Sequence, residues 1–524
     1  MLLRPSQQQL QRRAHGSASE LILSFRVTID RDRWTGRDHP YEGRPCSISK
    51  GTVTSFYVEN FGCRATQADG AGIERQFRER GLERADGSLR AELVVLNTCT
   101  VTSSADQDAR AAIRRIHREN PGCQIVVTGC YAQRAPEELA ALPGVSQVIG
   151  NSHKHRLAEI ALPDRGNLEP QRSPGDPAES ATGFVPLSSL TTGHEPAATD
   201  QPPIFVSDIF AHTELLAAPV FDAANERTRP TLKVQDGCDN RCSFCVIPSV
   251  RGQSRSLPLV KVLAEVNALV AAGYREVVIS GINLGRWGRD LVPGTSGAER
   301  RRNLVNLIRS ILDHTALEKL RVSSVEPMDW SDELIQLMAE SPRIAKHAHV
   351  PMQSGSDRVL RQMHRKYRPW HYREKIEKIR SAMPTAAIGA DVMVGFPGET
   401  NADFEQTRRT VEELPFTYLH VFTYSPRPGT PAASMDDQVP GHLARERSRI
   451  LRDLGSDKKL AFMRSFVGAS AAAITLNVFD GGYTECLTDN YLKLRLQDRC
   501  EANQWIKARV TAFQGGALIA GRMD

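Results

Sequence analysis

Short apolar runs and longer segments with helical spacing alternate along the chain from about residue 52. Apolar runs bounded by turn residues predict strands, and apolar residues three and four apart predict helices. The predicted strands are Val53–Asn60, Glu92–Leu96, Gln124–Thr128 and Val145–Ile149, and the predicted helices are Ala68–Arg80, Ser103–Glu119 and Ala135–Leu142. Because strands and helices alternate, we expect right-handed crossovers and a parallel sheet over residues 51–162.

A second alternating run covers residues 227–457. Its predicted strands are Leu232–Gln235, Glu276–Ser280, Leu320–Ser323, His347–Pro351, Ile388–Val394 and Leu419–Tyr424. Helical segments lie between them, and the clearest is Leu257–Ala272. Six strand–helix units predict an open α/β barrel, in which chemistry gathers at the carboxyl ends of the strands. A basic amphipathic helix, Arg445–Met463, leads out of this region.

Helical spacing disappears over residues 465–524. Five short segments alternate like strands: Ala471–Val478, Thr484–Leu487, Leu492–Leu496, Trp505–Phe513 and Ala517–Ile519. Gly-Gly turns at 481–482 and 515–516 separate two pairs of them. The pattern predicts a small all-β barrel, so the fold class is α/β with an all-β C-terminal domain.

Two stretches lack this periodicity. Residues 1–50 are polar and rich in Gln and Arg, and we expect a disordered extension there. Residues 163–226 begin with eight prolines between Pro163 and Pro203, which indicates a linker or an insertion.

Composition adds little to this picture. The chain has 524 residues, 40% of them hydrophobic and 24% charged, as in ordinary globular proteins. A net charge of +6 permits a nucleic-acid partner without requiring one. No apolar run is long enough for a membrane helix, and the patch at 21–23 is too short for a signal peptide. We therefore expect a cytoplasmic protein with no membrane partner.

Three cysteines stand on one loop directly after the first predicted barrel strand. Cys238, Cys242 and Cys245 have the spacing C-x3-C-x2-C. Structural zinc sites and closed iron–sulfur clusters take four ligands, so three cysteines would leave one iron of a [4Fe–4S] cluster open. The alternative is a zinc site that borrows a remote His or Cys.

A second set of three cysteines lies in the predicted N-terminal domain. Cys63, Cys99 and Cys130 follow three successive predicted strands, 36 and 31 residues apart. The carboxyl ends of parallel strands share one edge, so the topology would bring the three together. Cys123 precedes its strand and would lie about 20 Å away, as a bystander. The alternative is three buried structural cysteines.

The C-x3-C-x2-C loop resembles that of the radical S-adenosylmethionine (SAM) enzymes. Together with the preceding three-cysteine domain, it resembles the radical SAM methylthiotransferases over residues 52–162 and 227–524. The resemblance implies SAM and two [4Fe–4S] clusters. Cys238, Cys242 and Cys245 would hold the cluster that cleaves SAM. Cys63, Cys99 and Cys130 would hold an auxiliary cluster whose open iron carries the sulfur to be inserted.

The resemblance also suggests residues that contact SAM, each at the end of a predicted strand. These are Gly281, Glu326, Gln353 and Gly395. Turn glycines, a helix cap at Ser356 and solvated carboxylates are the structural alternatives. Outside the two cysteine sets, no further catalytic residue is assigned.

The C-terminal barrel resembles the OB-like TRAM domain, an RNA-binding module, and 488–493 match that family. Four basic residues would then contact phosphates and an aromatic residue would stack on a base. These are Lys493, Arg495, Lys507, Arg509 and Tyr491. The alternative is a barrel that only packs on the core.

Finer features resemble the branch that methylthiolates C2 of N6-threonylcarbamoyladenosine at position 37 of tRNA. They are the segments 61–64, 281–285, 323–327 and 363–367. The alternatives are the isopentenyladenosine branch and the branch that modifies a ribosomal-protein aspartate. Thr66 departs from the family, which has asparagine there.

The expected partners are the tRNA anticodon stem-loop, an electron donor such as flavodoxin or ferredoxin, and a sulfur source. A different class, a non-catalytic iron–sulfur RNA-binding protein or redox sensor, would use the same cysteines. That class would have no need for SAM.

Overall fold

The computed structural model describes residues 53–163, 202–212, 215, 228–291 and 302–523. The predicted extension over residues 1–50 and most of the predicted linker over 163–226 lie outside the described residues.

The N-terminal domain is a six-stranded parallel sheet. Its strands are β1 (Ser55–Asn60), β2 (Glu83–Arg84), β3 (Leu93–Thr98), β4 (Gln124–Gly129), β5 (Val145–Gly150) and β6 (Ile204–Phe205), in the order β2-β1-β3-β4-β5-β6. Its helices are α1 (Arg64–Glu79), α2 (Ser103–Glu119), α3 (Cys130–Arg134), α4 (Pro136–Ala140) and α5 (Leu157–Ala161). Apolar residues of α1 and α5 cover one face and those of α2 and α4 the other. The predicted parallel sheet is confirmed.

Three details differ from the sequence prediction. Helix α1 begins at Arg64, directly after Cys63, whereas the sequence predicted a start at Ala68. The first turn is mostly polar, so it does not show the helical spacing of apolar residues. Cys130 opens helix α3, which the sequence did not predict. Strand β6 comes from the predicted linker and pairs with β5 through Val148 and Ile204. Two apolar residues were too short a run to be recognised as a strand.

The central domain is an open barrel of six parallel strands. They are β7 (Thr231–Asp236), β9 (Glu276–Gly281), β10 (Lys319–Val322), β11 (His347–His349), β12 (Ala387–Val394) and β13 (Tyr418–Thr423). Residues Ser324 and His349 bridge the first three strands to the last three. A short strand that the sequence did not predict, β8 (Arg255–Ser256), pairs antiparallel with β7.

Helices surround the strands, and the outward-facing side chains of the strands pack against these helices to form the core. The helices are α6 (Ile247–Arg251), α7 (Leu259–Ala271), α8 (Leu304–His314), α9 (Asp332–Glu340), α10 (Asp357–Gln362), α11 (Pro369–Ala382), α12 (Asn401–Glu413) and α13 (Gly441–Arg464). Leu232, Val234 and Ile388 belong to the apolar core. Since side chains alternate along a strand, Lys233 and Asp391 face the interior of the barrel instead.

The C-terminal domain is a closed barrel of five strands. They are β14 (Ser470–Asp480), β15 (Tyr483–Thr488), β16 (Lys493–Leu496), β17 (Trp505–Gln514) and β18 (Ala517–Met523), ordered β14-β15-β16-β18-β17. The predicted small all-β barrel is confirmed. Its 488–491 turn docks on β10, where the buried Arg321 donates to the Asp489 carbonyl at 2.7 Å.

Among the described residues, no helix has both the length and the apolar composition that crossing a lipid bilayer requires.

Candidate active site and nucleic-acid surface

Cys63, Cys99 and Cys130 lie at the carboxyl edge of the N-terminal sheet. Cys63 directly precedes α1, Cys99 directly follows β3, and Cys130 directly follows β4. Cys63 is exposed, whereas the other two are buried. The topology therefore brings residues 36 and 31 positions apart to one edge, as the sequence predicted.

Two glycines allow this close approach. Gly62 has φ +98°, and a Cβ atom there would stand 2.8 Å from Cys99 Sγ. Gly129 has φ +101°, and a Cβ atom there would stand 2.3 Å from the Thr98 carbonyl oxygen. A side chain at either position would strain the backbone and displace the residues around Cys99.

The chemistry of the three thiols fits a metal centre. Burial, with further contributions from Cys130 and Cys63, raises the pKa of Cys99 to about 12. Three neighbouring thiols, two of them buried, cannot all ionise cheaply unless a cation compensates their charge. Iron ligation supplies that compensation, so Cys63, Cys99 and Cys130 are the residues that would hold an auxiliary cluster.

Polar neighbours support two of these cysteines. The Thr66 hydroxyl lies 3.6 Å from Cys63 Sγ, so the departure from the family pattern faces the ligand itself. Asn151 Nδ2 lies 3.6 Å from Cys130 Sγ and donates to the Val250 carbonyl at 2.7 Å. Asn151 thereby connects the sheet edge to α6 of the central barrel.

Cys238, Cys242 and Cys245 lie on the loop between β7 and α6. N–H groups point at two of the sulfurs: Asn283 Nδ2 lies 3.5 Å from Cys238 Sγ, and Arg365 Nη1 lies 3.2 Å from Cys242 Sγ. Burial raises the pKa of Cys245 to about 12. Donors aimed at sulfur favour the thiolate form, which is the form that ligates iron.

Arg365 connects this loop to a predicted SAM residue. Its side chain is buried and forms an ion pair with Glu326. It also donates from Nε to the Tyr367 hydroxyl at 3.3 Å, and that hydroxyl donates to the Met352 carbonyl at 2.7 Å. Arg365 thus holds Cys242 and Glu326 in one hydrogen-bonded unit.

Two more of the predicted SAM residues lie at the same end of the barrel. Gly281 packs against Gln235, whose Oε1 accepts from the Asn283 backbone N–H at 2.7 Å. Gln353 has φ +63°, and its backbone N–H donates to the Asp391 carbonyl at 2.8 Å. Gly281 ends β9, whereas Gln353 follows β11 and forms an isolated bridge with Val392 of β12.

Buried polar atoms in this region fit a polar cofactor. Asn283 Oδ1, Ser323 Oγ and Gln353 Oε1 are buried and have no hydrogen-bond partner among the described residues. Unpaired buried polar atoms are costly, so a ligand that supplies donors and acceptors would stabilise them. These atoms fit the amino, carboxylate and ribose groups of SAM.

Gly395 lies apart from these residues. Its backbone N–H faces the Glu399 carboxylate at 3.2 Å, and a Cβ atom there would stand 2.6 Å from Ala444 Cβ on α13. Its contacts therefore tie β12 to α13. Ser356 caps α10 by accepting from the Val359 N–H, as the structural alternative anticipated.

A buried charge network joins the two cysteine sets. Arg251 lies 2.9 Å from Asp69 on α1 and 2.9 Å from Asp236 at the end of β7. Lys233 pairs with both carboxylates, and Lys154 pairs with Asp69 at 3.0 Å. Burial alone would raise the pKa of Asp69, but the three cations hold it well below its usual range.

The network carries more positive than negative charge. Lys154, Lys233 and Arg251 face only two carboxylates, and Arg255 lies 4.0 Å from Asp236. The remaining positive charge adjoins the cysteine edge, where it favours anionic ligands. This feature again fits a thiolate-bound cluster.

Sequence reasoning missed several of these residues. Asn283, Arg365 and Tyr367 lie within the segments 281–285 and 363–367, which resemble the family branch, but the sequence does not indicate their contacts. Arg251 gives no signal, because the sequence does not reveal which charges are buried. Asp69 gives one signal, since it is a charged residue on the largely apolar face of a helix.

The C-terminal barrel gathers four of the predicted RNA-contacting residues. Strand β18 lies between β16 and β17. The outward positions of β16 and β17 carry exposed basic side chains on both sides of β18: Lys493, Arg495, Lys507 and Arg509. We call these four residues the basic patch. Its charge suits phosphate contacts.

Tyr491 lies elsewhere. Its ring is 4.4 Å from the Arg321 guanidinium and 4.6 Å from the His347 ring, at the junction with the central barrel. Because it is occupied by these contacts, Tyr491 fits a docking role better than the base stacking predicted from the sequence.

Two family models match the chain. Residues 55–150 match the uncharacterized protein family UPF0004, and residues 232–411 match the radical SAM superfamily. The two matches contain the two cysteine sets, one each.

Curated relatives cover most of the chain. It is 34% identical to the threonylcarbamoyladenosine tRNA methylthiotransferase MtaB of Bacillus subtilis (strain 168), over 84% of this chain and 90% of the relative. It is 34% identical to the tRNA-2-methylthio-N(6)-dimethylallyladenosine synthase of Sphingopyxis alaskensis, over 79% of this chain and 85% of the relative. Among solved structures, a radical S-adenosylmethionine methyltransferase from Kitasatospora setae matches with a TM-score of 0.48 at 17% identity, covering 73% of this chain and 75% of that one.

Proposed function

Because the chain belongs to the radical SAM methylthiotransferases, we propose that it replaces the C2 hydrogen of N6-threonylcarbamoyladenosine at position 37 of tRNA with a methylthio group. The observation that carries the proposal is the presence of two three-cysteine sets on the ligand edges of two α/β units. Each set would leave one iron open. A sulfur-inserting radical enzyme needs two such positions, whereas an enzyme that only cleaves SAM needs one.

When bound, SAM and the clusters supply the radical that removes hydrogen and the methylated sulfur that replaces it. The residues of this chain hold and orient these groups. Cys238, Cys242 and Cys245 would anchor the SAM-cleaving cluster, and Arg365 contacts the sulfur of Cys242 and orients Glu326. The unpaired oxygens of Asn283 and Gln353 face the interior in which SAM would bind.

The substrate assignment rests on the relatives and on the basic patch. The Bacillus subtilis relative is named for threonylcarbamoyladenosine and covers the larger share of this chain. The second candidate, the dimethylallyl (isopentenyl) nucleoside, is supported by a relative of equal identity. The basic patch favours RNA over the third candidate, a ribosomal-protein aspartate.

The partners follow from the chemistry. Reduction of the SAM-cleaving cluster needs a one-electron donor, for which flavodoxin or ferredoxin is suitable, and the inserted sulfur needs a source. We place these reactions in the cytoplasm, because free cysteines used as ligands require a reducing compartment.

The experiment compares substrates under one set of conditions. The anaerobically reconstituted enzyme receives dithionite, SAM and one of three tRNAs: with N6-threonylcarbamoyladenosine, with N6-isopentenyladenosine, or with unmodified adenosine at position 37. Mass spectrometry of the digested nucleosides is expected to show the methylthio product with the first tRNA only. A product with the second tRNA alone would assign the enzyme to the other branch.

A further inference from the structure

Three side chains from adjacent barrel strands converge on one point of the interior. They are His349 at the end of β11, Asp391 on β12 and His420 on β13. We propose that His349, Asp391 and His420 bind a divalent transition-metal ion, separate from both cysteine sets. Their candidate ligand atoms all lie within 4.8 Å of one another.

The distances favour one metal ion bound by all three side chains. His349 Nε2 lies 3.3 Å and His420 Nδ1 lies 3.2 Å from the same oxygen, Asp391 Oδ1. Ligand atoms on one metal are separated by about 3 Å when each bond is about 2.1 Å. The two nitrogen–oxygen distances are therefore close to those between ligand atoms that share one metal ion.

His349 supplies the second observation. It is 8% exposed, and the contact of its Nε2 with Asp391 Oδ1, at 3.3 Å, is long and does not meet strict hydrogen-bond geometry. A buried nitrogen with so weak a contact costs free energy. A metal ion between His349 and Asp391 would use its lone pair.

The backbone holds the three residues rigidly. Asp391 and His420 are directly opposite each other in the β12–β13 pairing, and His349 pairs with Gly389, two residues before Asp391. The His349 carbonyl also accepts from the Val325 N–H at 3.1 Å. Ligands on neighbouring strands are positioned more accurately than ligands on loops.

The site opens onto the interior of the barrel. The adjacent residues Ala348, Ala390 and Val421 belong to the core that faces the helices, so the alternate side chains face inward. The Gln353 N–H donates to the Asp391 carbonyl, which places the site next to the region of the unpaired polar atoms. The His420 side chain is 62% exposed, so a ligand can reach it.

The donor set indicates the class of metal. Two imidazoles and one carboxylate suit zinc(II) or iron(II), whereas magnesium and calcium take oxygen ligands. Three protein ligands leave coordination positions free for water or a substrate oxygen. Tyr418 packs on both histidines and bonds to His347 at 2.6 Å, so it acts as their support and not as a ligand.

The test measures metal in the full-length, cluster-reconstituted enzyme. The protein is incubated with zinc chloride, desalted and analysed for zinc and iron, alongside His420→Asn, His349→Asn and the control His442→Asn, an exposed histidine on α13. We expect both site variants to hold about one zinc less per chain than the wild type and the control, with equal iron. Equal zinc in all four proteins would overturn the proposal.

X-ray absorption at the zinc edge distinguishes this site from zinc bound by cysteine. Nitrogen and oxygen ligands at about 2.0–2.1 Å are expected for the zinc that His420→Asn loses, whereas thiolate sulfur would lie at about 2.3 Å. Sulfur ligation of that zinc would contradict the assignment. These readouts do not depend on which adenosine the enzyme modifies.

Discussion

The two cysteine sets are built in different ways. Cys238, Cys242 and Cys245 lie on one loop, so their proximity is fixed by eight residues of chain. Cys63, Cys99 and Cys130 meet only because β1, β3 and β4 lie side by side. The loop set has N–H donors aimed at its sulfurs, whereas the edge set has a surplus of buried positive charge nearby.

This difference indicates which substitutions should disturb each cysteine set. The loop set depends on its own short loop and on a few side chains that contact it, such as Arg365, so changes far from that loop in the structure should spare it. The edge set depends on the packing of a whole domain and on the charge network that docks it against β7. Arg251 contacts both sides of that junction, so it is the residue at which the two sets are least independent.

The largest expected effect is that of Cys242→Ala. Removing one of three ligands from the loop should abolish 5′-deoxyadenosine formation completely, because SAM cleavage requires that cluster. The edge set should keep its iron, measured by iron analysis and Mössbauer spectroscopy. Loss of iron from both sets would show that they do not assemble independently.

Arg251→Met should have the next largest effect. Its side chain is 2% exposed and its guanidinium bridges two buried carboxylates, so we expect a loss of about 3–5 kcal/mol in the free energy of unfolding. Urea denaturation measures this loss. The matched control is Arg90→Met, which removes an exposed ion pair with Asp86 and should cost less than about 1 kcal/mol. A neutral Arg251→Met would mean that the network does not hold the two domains together.

Two matched glycine substitutions should separate the sets. Gly62 precedes Cys63 with φ +98°, and Gly237 precedes Cys238 with φ +73°. Each strained alanine should cost about 1–3 kcal/mol. Gly62→Ala should reduce the iron of the edge set and the methylthio product, whereas Gly237→Ala should reduce 5′-deoxyadenosine formation. If both variants lost the same iron and the same product, the two cysteine sets would not have separate roles.

The smallest effect is expected from a change remote from both sets. Lys507→Gln combined with Arg509→Gln should weaken tRNA binding about tenfold and lower its salt dependence, because phosphate contacts release counterions. Iron content and tRNA-independent SAM cleavage should stay unchanged. Lys261→Gln, an exposed lysine on α7, serves as the control. Unaltered tRNA affinity in the double variant would assign RNA binding to another surface.

Much of the fold could be predicted from the sequence, because apolar periodicity is a local signal. The parallel sheet, the six-stranded barrel and the C-terminal barrel were all recognisable in this way. Strands β2, β6 and β8 were missed, since each has only two residues and forms by pairing with a longer neighbour. Such pairing is determined by tertiary contacts, not by local propensity.

Site residues that lie close together in the sequence were easier to predict than those that only the fold brings together. The loop set was visible as a motif, and the edge set could be inferred from topology. The charge network, the role of Arg365 and the convergence of His349, Asp391 and His420 depend on which side chains face inward across several strands. For Tyr491, the sequence identified the segment that contains it but not the contact of its ring with Arg321.

The central claim is that the edge set serves sulfur transfer while the loop set serves SAM cleavage. Cys99→Ala tests it most directly, with 5′-deoxyadenosine and methylthiolated nucleoside measured in the same anaerobic reaction. A folded variant should retain about half the iron, still form 5′-deoxyadenosine and make no methylthio product. If folded Cys99→Ala still methylthiolates tRNA, or if it forms no 5′-deoxyadenosine at all, the division of labour between the two sets is wrong.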